Sequence, residues 1–110
     1  MVNVDDLAQG YLLAAESGLK GEVFNFVDKS CLTVREMVTA VAKVANYSGE
    51  IEFIPAEKAA QTRGDYAYCL ALDQHVNSEK AKQILGWQPE HADFVEDADL
   101  YFNSWKTARI

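Results

Sequence analysis

Several residue types are scarce in this chain of 110 residues, and each shortage removes a class of protein. Two cysteines, Cys31 and Cys69, are too few for a disulfide framework. Without a Cys-x-x-Cys pair they read as reduced, inert thiols of a cytoplasmic protein. Two histidines, His75 and His91, have no Cys or second His at ligand spacing, so a zinc site is not expected. Ten Lys and Arg stand against 17 Asp and Glu, a net charge of −7. The bases are scattered and form no stripe, which argues against a nucleic-acid partner. No apolar run approaches the ~20 residues of a membrane span, and no charged-then-apolar leader follows Met1. The six glycines never form Gly-x-Gly-x-x-Gly, whose backbone lets a pyrophosphate approach a helix N-terminus. A Gly-x-Ser-x-Gly elbow is also missing.

What is present is an ordinary globular composition, 49% apolar, of a length that suits one domain spanning residues 1–110. A compact chain of this size buries about two-thirds of its unfolded surface. Asp5 or Asp6 can cap a first helix running to about Ser17, with Leu7, Tyr11, Leu12 and Ala15 on one apolar face. Glu22 to Val27 alternates and is rich in Val and Phe, so it reads as a strand. Thr33 with Glu36 forms a capping box. The helix it opens carries Val34, Met37, Val38, Val41, Val44 and Ala45 at helical spacing. Ile51 to Pro55 reads as a second strand, its proline at an end. Residues 57–61 suit a short helix, and 63–74 are irregular with one helical turn. Ser78 is the expected N-cap of a short helix that stops at Gly86 and Pro89. Phe94, Val95, Ala98, Tyr101, Phe102 and Trp105 then mark a last helix from about Ala92 to Thr107. The pattern predicts an α/β (α+β-like) small domain, about four helices around a sheet of two or three strands.

The stretch Val76-Asn-Ser-Glu-Lys-Ala-Lys-Gln-Ile-Leu-Gly-Trp-Gln-Pro89 carries a further signal. Its pattern, Ser-x-Lys-Ala-x-x-x-Leu-Gly-Trp-x-Pro, resembles the C-terminal segment of the extended short-chain dehydrogenase/reductases, the NAD(P)-dependent sugar-nucleotide epimerases and dehydratases. Val2-Asn-Val-Asp-Asp-Leu-Ala8, Glu22-Val-Phe-Asn-Phe-Val27, Thr33-Val-Arg-Glu-Met-Val38 and the stretch from Phe94 to Trp105 resemble other pieces of that family in the same order. The family's Tyr-x-x-x-Lys pair is absent, since no tyrosine has a lysine four residues on. The resemblance therefore implies the substrate-binding, C-terminal part of such a fold without its dinucleotide-binding core. It implies no cofactor held by this chain alone, NAD(P) in an intact family enzyme, and a small-molecule substrate.

The same resemblance nominates substrate-binding residues. Asn3 stands where the family usually has histidine. Asn keeps a donor and an acceptor but does not titrate; the plainer reading is a polar residue ahead of a cap. Arg63, beside Gly64, Asp65 and Tyr66, lies where sugar-nucleotide enzymes often place an arginine for the diphosphate, which a guanidinium fork suits. A surface Arg63–Asp65 contact is the plainer alternative. Asp5 and Asp6 read as first-turn acids rather than a catalytic pair. Two functional readings follow. The chain is a substrate-side part that needs a cofactor-domain partner, or it is a free-standing, non-enzymatic module that covers its exposed faces as a homo-oligomer. An independent small enzyme has no nucleophile–base pair in the sequence to support it.

Overall fold

A computed structural model describes residues 1–109. Among them are six helices: α1 (Val4–Glu16), α2 (Val34–Val44), α3 (Ala56–Arg63), α4 (Tyr66–Leu70), α5 (Glu79–Leu85) and α6 (Ala98–Ala108). No strand is formed among the described residues. The expected α/β arrangement with a small sheet is thus overturned, and the described chain is helical. The physical reason is the lack of pairing. A strand needs a neighbouring ladder, and residues 22–28 make one main-chain bond to other main chain, from Asp28 N–H to Met1 C=O at 2.7 Å. Residues 51–54 lie elsewhere, at the start of α2, where the Arg35 guanidinium covers the Phe53 ring at 4.1 Å.

Residues 22–28 are held instead by α5. The Ser78 hydroxyl accepts from Val27 N–H at 2.8 Å and donates to Val27 C=O at 2.9 Å. It does not cap the helix, as its sequence position predicts; the side chain of Asn77 accepts from Glu79 N–H instead, at 3.2 Å. The C-terminal stop is as expected. Gly86 is left-handed, at φ 68°, ψ 18°, and the amides of Gly86 and Trp87 close on the carbonyls of Lys82 and Ala81 at 3.0 and 3.3 Å. The Gly86–Lys82 bond is the closure of the αL motif, after which the chain turns Trp87 back over the helix.

Trp87, 1% exposed, is the largest fully buried side chain among the described residues. Its ring meets Phe26 edge-on, with centroids 5.0 Å apart, and its indole N–H donates to the carbonyl of Asp6 at 2.8 Å. Phe26 lies on Gly10 of α1 so closely that a Cβ there would come within 2.8 Å of the ring. These contacts select the buried face of α1. It runs through Asp6 and Gly10, with Leu7, Leu13 and Ala14 half-buried. The expected apolar face is rotated outward, and Tyr11 is 68% exposed.

The second packed unit is α2 against α6. The Thr33–Glu36 capping box forms as expected, with Thr33 N–H to Glu36 Oε2 at 2.7 Å and Glu36 N–H to Thr33 Oγ1 at 3.2 Å. α6 starts at Ala98 rather than Ala92, because the Asp93 carboxylate accepts from Glu96 N–H at 2.9 Å and closes a separate turn before it. α3 and α4 fold on each other across Gly64 and pack on no other helix among the described residues.

The two units share little interior. The accessible surface is 8807 Å², whereas a compact protein of this mass exposes about 6,100 Å². The radius of gyration is 17.1 Å, against ~13 Å for a compact chain of this length. The expected burial of two-thirds is therefore not reached; roughly half of the unfolded surface stays accessible by the same scaling. Val34, Leu100 and Trp105 of the α2–α6 unit all remain exposed.

Candidate functional site

Asn3 sits where three parts of the chain converge. Its side-chain oxygen accepts from Asp5 N–H at 2.8 Å, which makes it the N-cap of α1. Asn3 takes the capping role that the sequence gives to Asp5 or Asp6. Its side-chain amide donates to the Tyr101 hydroxyl of α6 at 2.8 Å. The Tyr101 ring stacks on Phe94 at 5.9 Å. An open groove of about 240 Å³ lies over this meeting point, walled by Met1, Val2, Val4, Phe94 and Ala92 and floored by Asn3, Tyr101 and Asp28.

A second depression of about 280 Å³ adjoins it across Asp28 and Ala92. It is lined by Lys29, Ser30, His91 and Asp93 beside Pro89. Asp28 shapes the rim between the two. Its carboxylate accepts from the amide and the hydroxyl of Ser30 at 2.9 and 2.6 Å, an Asx-type turn. The first lobe places an amide and a phenol among apolar side chains; the second adds an ammonium, a hydroxyl, an imidazole and carboxylates to its lining. Such an arrangement can bind and orient a polar small molecule. It holds no paired nucleophile and base.

The groove hangs on Asp6. This residue is 5% exposed, and its two carboxylate oxygens accept from Glu90 N–H at 3.0 Å and His91 N–H at 3.1 Å. His91 Nδ1 lies 3.1 Å from Asp6 Oδ1, out of line for a hydrogen bond, so the contact is chiefly electrostatic. Burial alone would raise the Asp6 pKa; the Glu90 amide and the side chain and amide of His91 outweigh it and hold the pKa below the ordinary 3.8. The Asp6 carboxylate in turn raises the His91 pKa above 6.5, with Asp5 and Asp97 adding to the effect.

Arg63 and Tyr66 are not brought to this groove. Arg63 ends α3, Gly64 turns the corner at φ 74° and Tyr66 begins α4. Neither residue lines either depression, and Arg63 forms no ion pair with Asp65. What sequence reasoning missed is the partner of Asn3 and the role of Asp6. Tyr101 lies 98 positions from Asn3 and reads as one member of an apolar stripe. Asp6 reads as first-turn decoration because its backbone partners, Glu90 and His91, carry no sequence signature.

The described residues do not suit a dinucleotide. A pyrophosphate seeks free amides at a helix N-terminus, yet five of the six helices carry an acidic residue in the first turn, and the sixth, α4, has five residues. No group of three or more His, Cys, Asp and Glu side chains is placed to hold a metal ion among the described residues.

Comparison with known proteins agrees with the segment around Trp87. A UDP-glucose 4-epimerase of Corynebacterium glutamicum is 38% identical over 102 residues, 88% of this chain and 28% of that protein. The chain is a relative of the UDP-glucose 4-epimerases, matched to their C-terminal part. A second such epimerase, from Streptococcus mutans, is 34% identical over 80% of this chain and 24% of its own length. An uncharacterized protein of Saccharomyces cerevisiae is 26% identical over 84% of this chain and 30% of its own. The epimerase-like chain thus spans 24–30% of the length of these relatives. No family model matches it, and no solved structure does.

Proposed function

We propose that this chain is the substrate-side wall of a sugar-nucleotide epimerase/dehydratase-type site and is not catalytically self-sufficient. NAD(P) would be held by a dinucleotide-binding domain outside these 110 residues. The observation that carries the reading is the epimerase match, 88% of this chain but 28% of the relative. Asn3, held between α1 and α6 at the floor of the first lobe, is the residue assigned to orient the sugar nucleotide, with Tyr101 beside it. Arg63 and Tyr66 are assigned to the diphosphate end. They sit on the α3–α4 hairpin, and a partner domain would have to bring that hairpin and the groove to one ligand. Two free cysteines suit a cytoplasmic protein.

A second reading has its own observation. The chain exposes roughly 2,700 Å² more than a compact protein of its mass, and self-association would cover part of it. Under that reading the chain is a free-standing binding or oligomerisation module.

The test is direct. The purified chain is assayed for retained NAD(H), then titrated with UDP-glucose at millimolar concentration while backbone amide resonances are followed. Expected are no retained dinucleotide and shifts confined to the amides around Asn3, Asp28 and Tyr101. Tight retention of NAD(H), or unchanged resonances at the groove, would overturn the assignment.

A further inference from the structure

Asn3 and Tyr101 both line the first groove, and the hydrogen bond between them has a fixed direction. The Asn3 side-chain oxygen accepts from Asp5 N–H at 2.8 Å. Turning the side-chain amide over would set its nitrogen against that N–H, two donors face to face. The amide nitrogen therefore faces Tyr101 and donates to the phenol oxygen at 2.8 Å. Tyr101 is the acceptor of this pair, so its own O–H is a donor that needs another partner. No described residue accepts it. The ring is held in place by its stack on Phe94, with centroids 5.9 Å apart and planes 23° apart.

The rest of the lining decides what this O–H can meet. Apart from Asn3 and Tyr101 the groove side chains are apolar, except for Asp28. The Asp28 carboxylate is engaged by the Ser30 amide and hydroxyl at 2.9 and 2.6 Å, and its charge disfavours an anion beside it. The Lys29 ammonium belongs to the adjoining depression. A phosphate oxygen is thus a poor partner for Tyr101, and an uncharged carbonyl or hydroxyl oxygen is a good one. We propose that Tyr101 is the ligand-binding donor of this groove, that it takes an uncharged carbonyl or hydroxyl oxygen, and that Asn3 acts through it as a positioning residue. For its ligand the inference rests on the sugar-nucleotide reading and sharpens it: the groove receives the base or the sugar, and the diphosphate lies outside.

The experiment titrates the full chain separately with UDP-glucose, uridine, methyl glucoside and inorganic pyrophosphate and follows the amide resonances around Asn3 and Tyr101. Expected are shifts with UDP-glucose and with one neutral probe, uridine if the base carbonyl is the acceptor and methyl glucoside if a sugar hydroxyl is. Pyrophosphate should leave the groove unchanged. Tyr101→Phe keeps the ring stack and should weaken the neutral probe about fivefold, the size of one neutral hydrogen bond. Asn3→Asp keeps an oxygen to cap α1, but its second oxygen draws the Tyr101 O–H onto itself. It should cause a similar loss, and the double variant no further loss, because both act on one contact. The far-ultraviolet circular dichroism should stay unchanged in each, and either single variant decides the point if the other fails to fold. Wild-type affinity in the variants, or a groove that answers pyrophosphate and neither neutral probe, would overturn the inference and leave the sugar-nucleotide reading standing. A neutral probe bound through Tyr101 with no response to UDP-glucose would sink that reading instead and leave the contact. Silence toward all four probes removes both.

Discussion

Asp6 is the residue on which the most depends. A carboxylate this buried is unfavourable unless its oxygens are satisfied, and here two amides and an imidazole face it. Asp6→Ala leaves the Glu90 and His91 amides without partners and should cost about 2 kcal/mol, read as a lower urea midpoint. The pH dependence has two limbs. The Asp6 pKa is lowered, so its contribution is present above the ordinary carboxylate range and is lost as pH falls through the depressed value, below 3.8. The His91 pKa is raised, so its contribution is complete below 6.5 and is lost as pH rises through the elevated value. The charged groups facing His91 are Asp5, Asp6 and Asp97, and all three act in the same direction. Stability should therefore peak between about pH 4 and 6.5. In His91→Gln the loss on the alkaline side should vanish while the acid limb remains. A wild-type profile flat from pH 5 to 9 would refute this account.

Among the elements, the packing of α1 against residues 22–28 is the most exposed to a single methyl group. Gly10 lies mid-helix, where alanine would ordinarily stabilise by about 1 kcal/mol. The Phe26 ring stands 2.8 Å from where that Cβ would be, and overpacking costs about 1–3 kcal/mol. The steric term should win, so Gly10→Ala is expected to lower the thermal midpoint; a rise would mean that Phe26 does not seat on α1. Where a helix start or stop is decided by its own side chains it was legible in sequence, whereas the caps of α1 and α5 and the start of α6 were not. The capping box at Thr33, the left-handed Gly86 and the return of Trp87 are decided within a few residues. The strands at 22–27 and 51–55 were misread because alternation reports a half-buried extended chain, not the presence of a ladder. The α1 face was misread because apolar spacing does not reveal that an aspartate and a glycine are what Trp87 and Phe26 cover.

The whole molecule has more surface than one chain of its mass should keep. Roughly 2,700 Å² beyond the compact value falls within the range buried by obligate interfaces. The epimerase reading gives that surface to a cofactor-domain partner, and the module reading gives it to another copy. In isolation the exposed faces of α1, α2 and α6 are expected to drive association. Light scattering should then give a molar mass that rises with protein concentration. A chain that stays monomeric and unfolds cooperatively at every concentration would remove the module reading.

By itself the sequence determined what is short-range or compositional. The acidic balance, the missing phosphate cradle, the capping box at Thr33, the stop at Gly86 and the segment around Trp87 that marks epimerase kinship can all be read without coordinates, because each is compositional or depends on residues within a turn or two. The tertiary structure alone decided the pairings that span the chain. Asn3 with Tyr101, Asp6 with the Glu90 and His91 amides, and Cys31 with His75 are separated by 98, 84, 85 and 44 positions. Their formation depends on how Trp87, Phe26 and the Val27–Ser78 clamp bring distant segments together, and no local spacing encodes that.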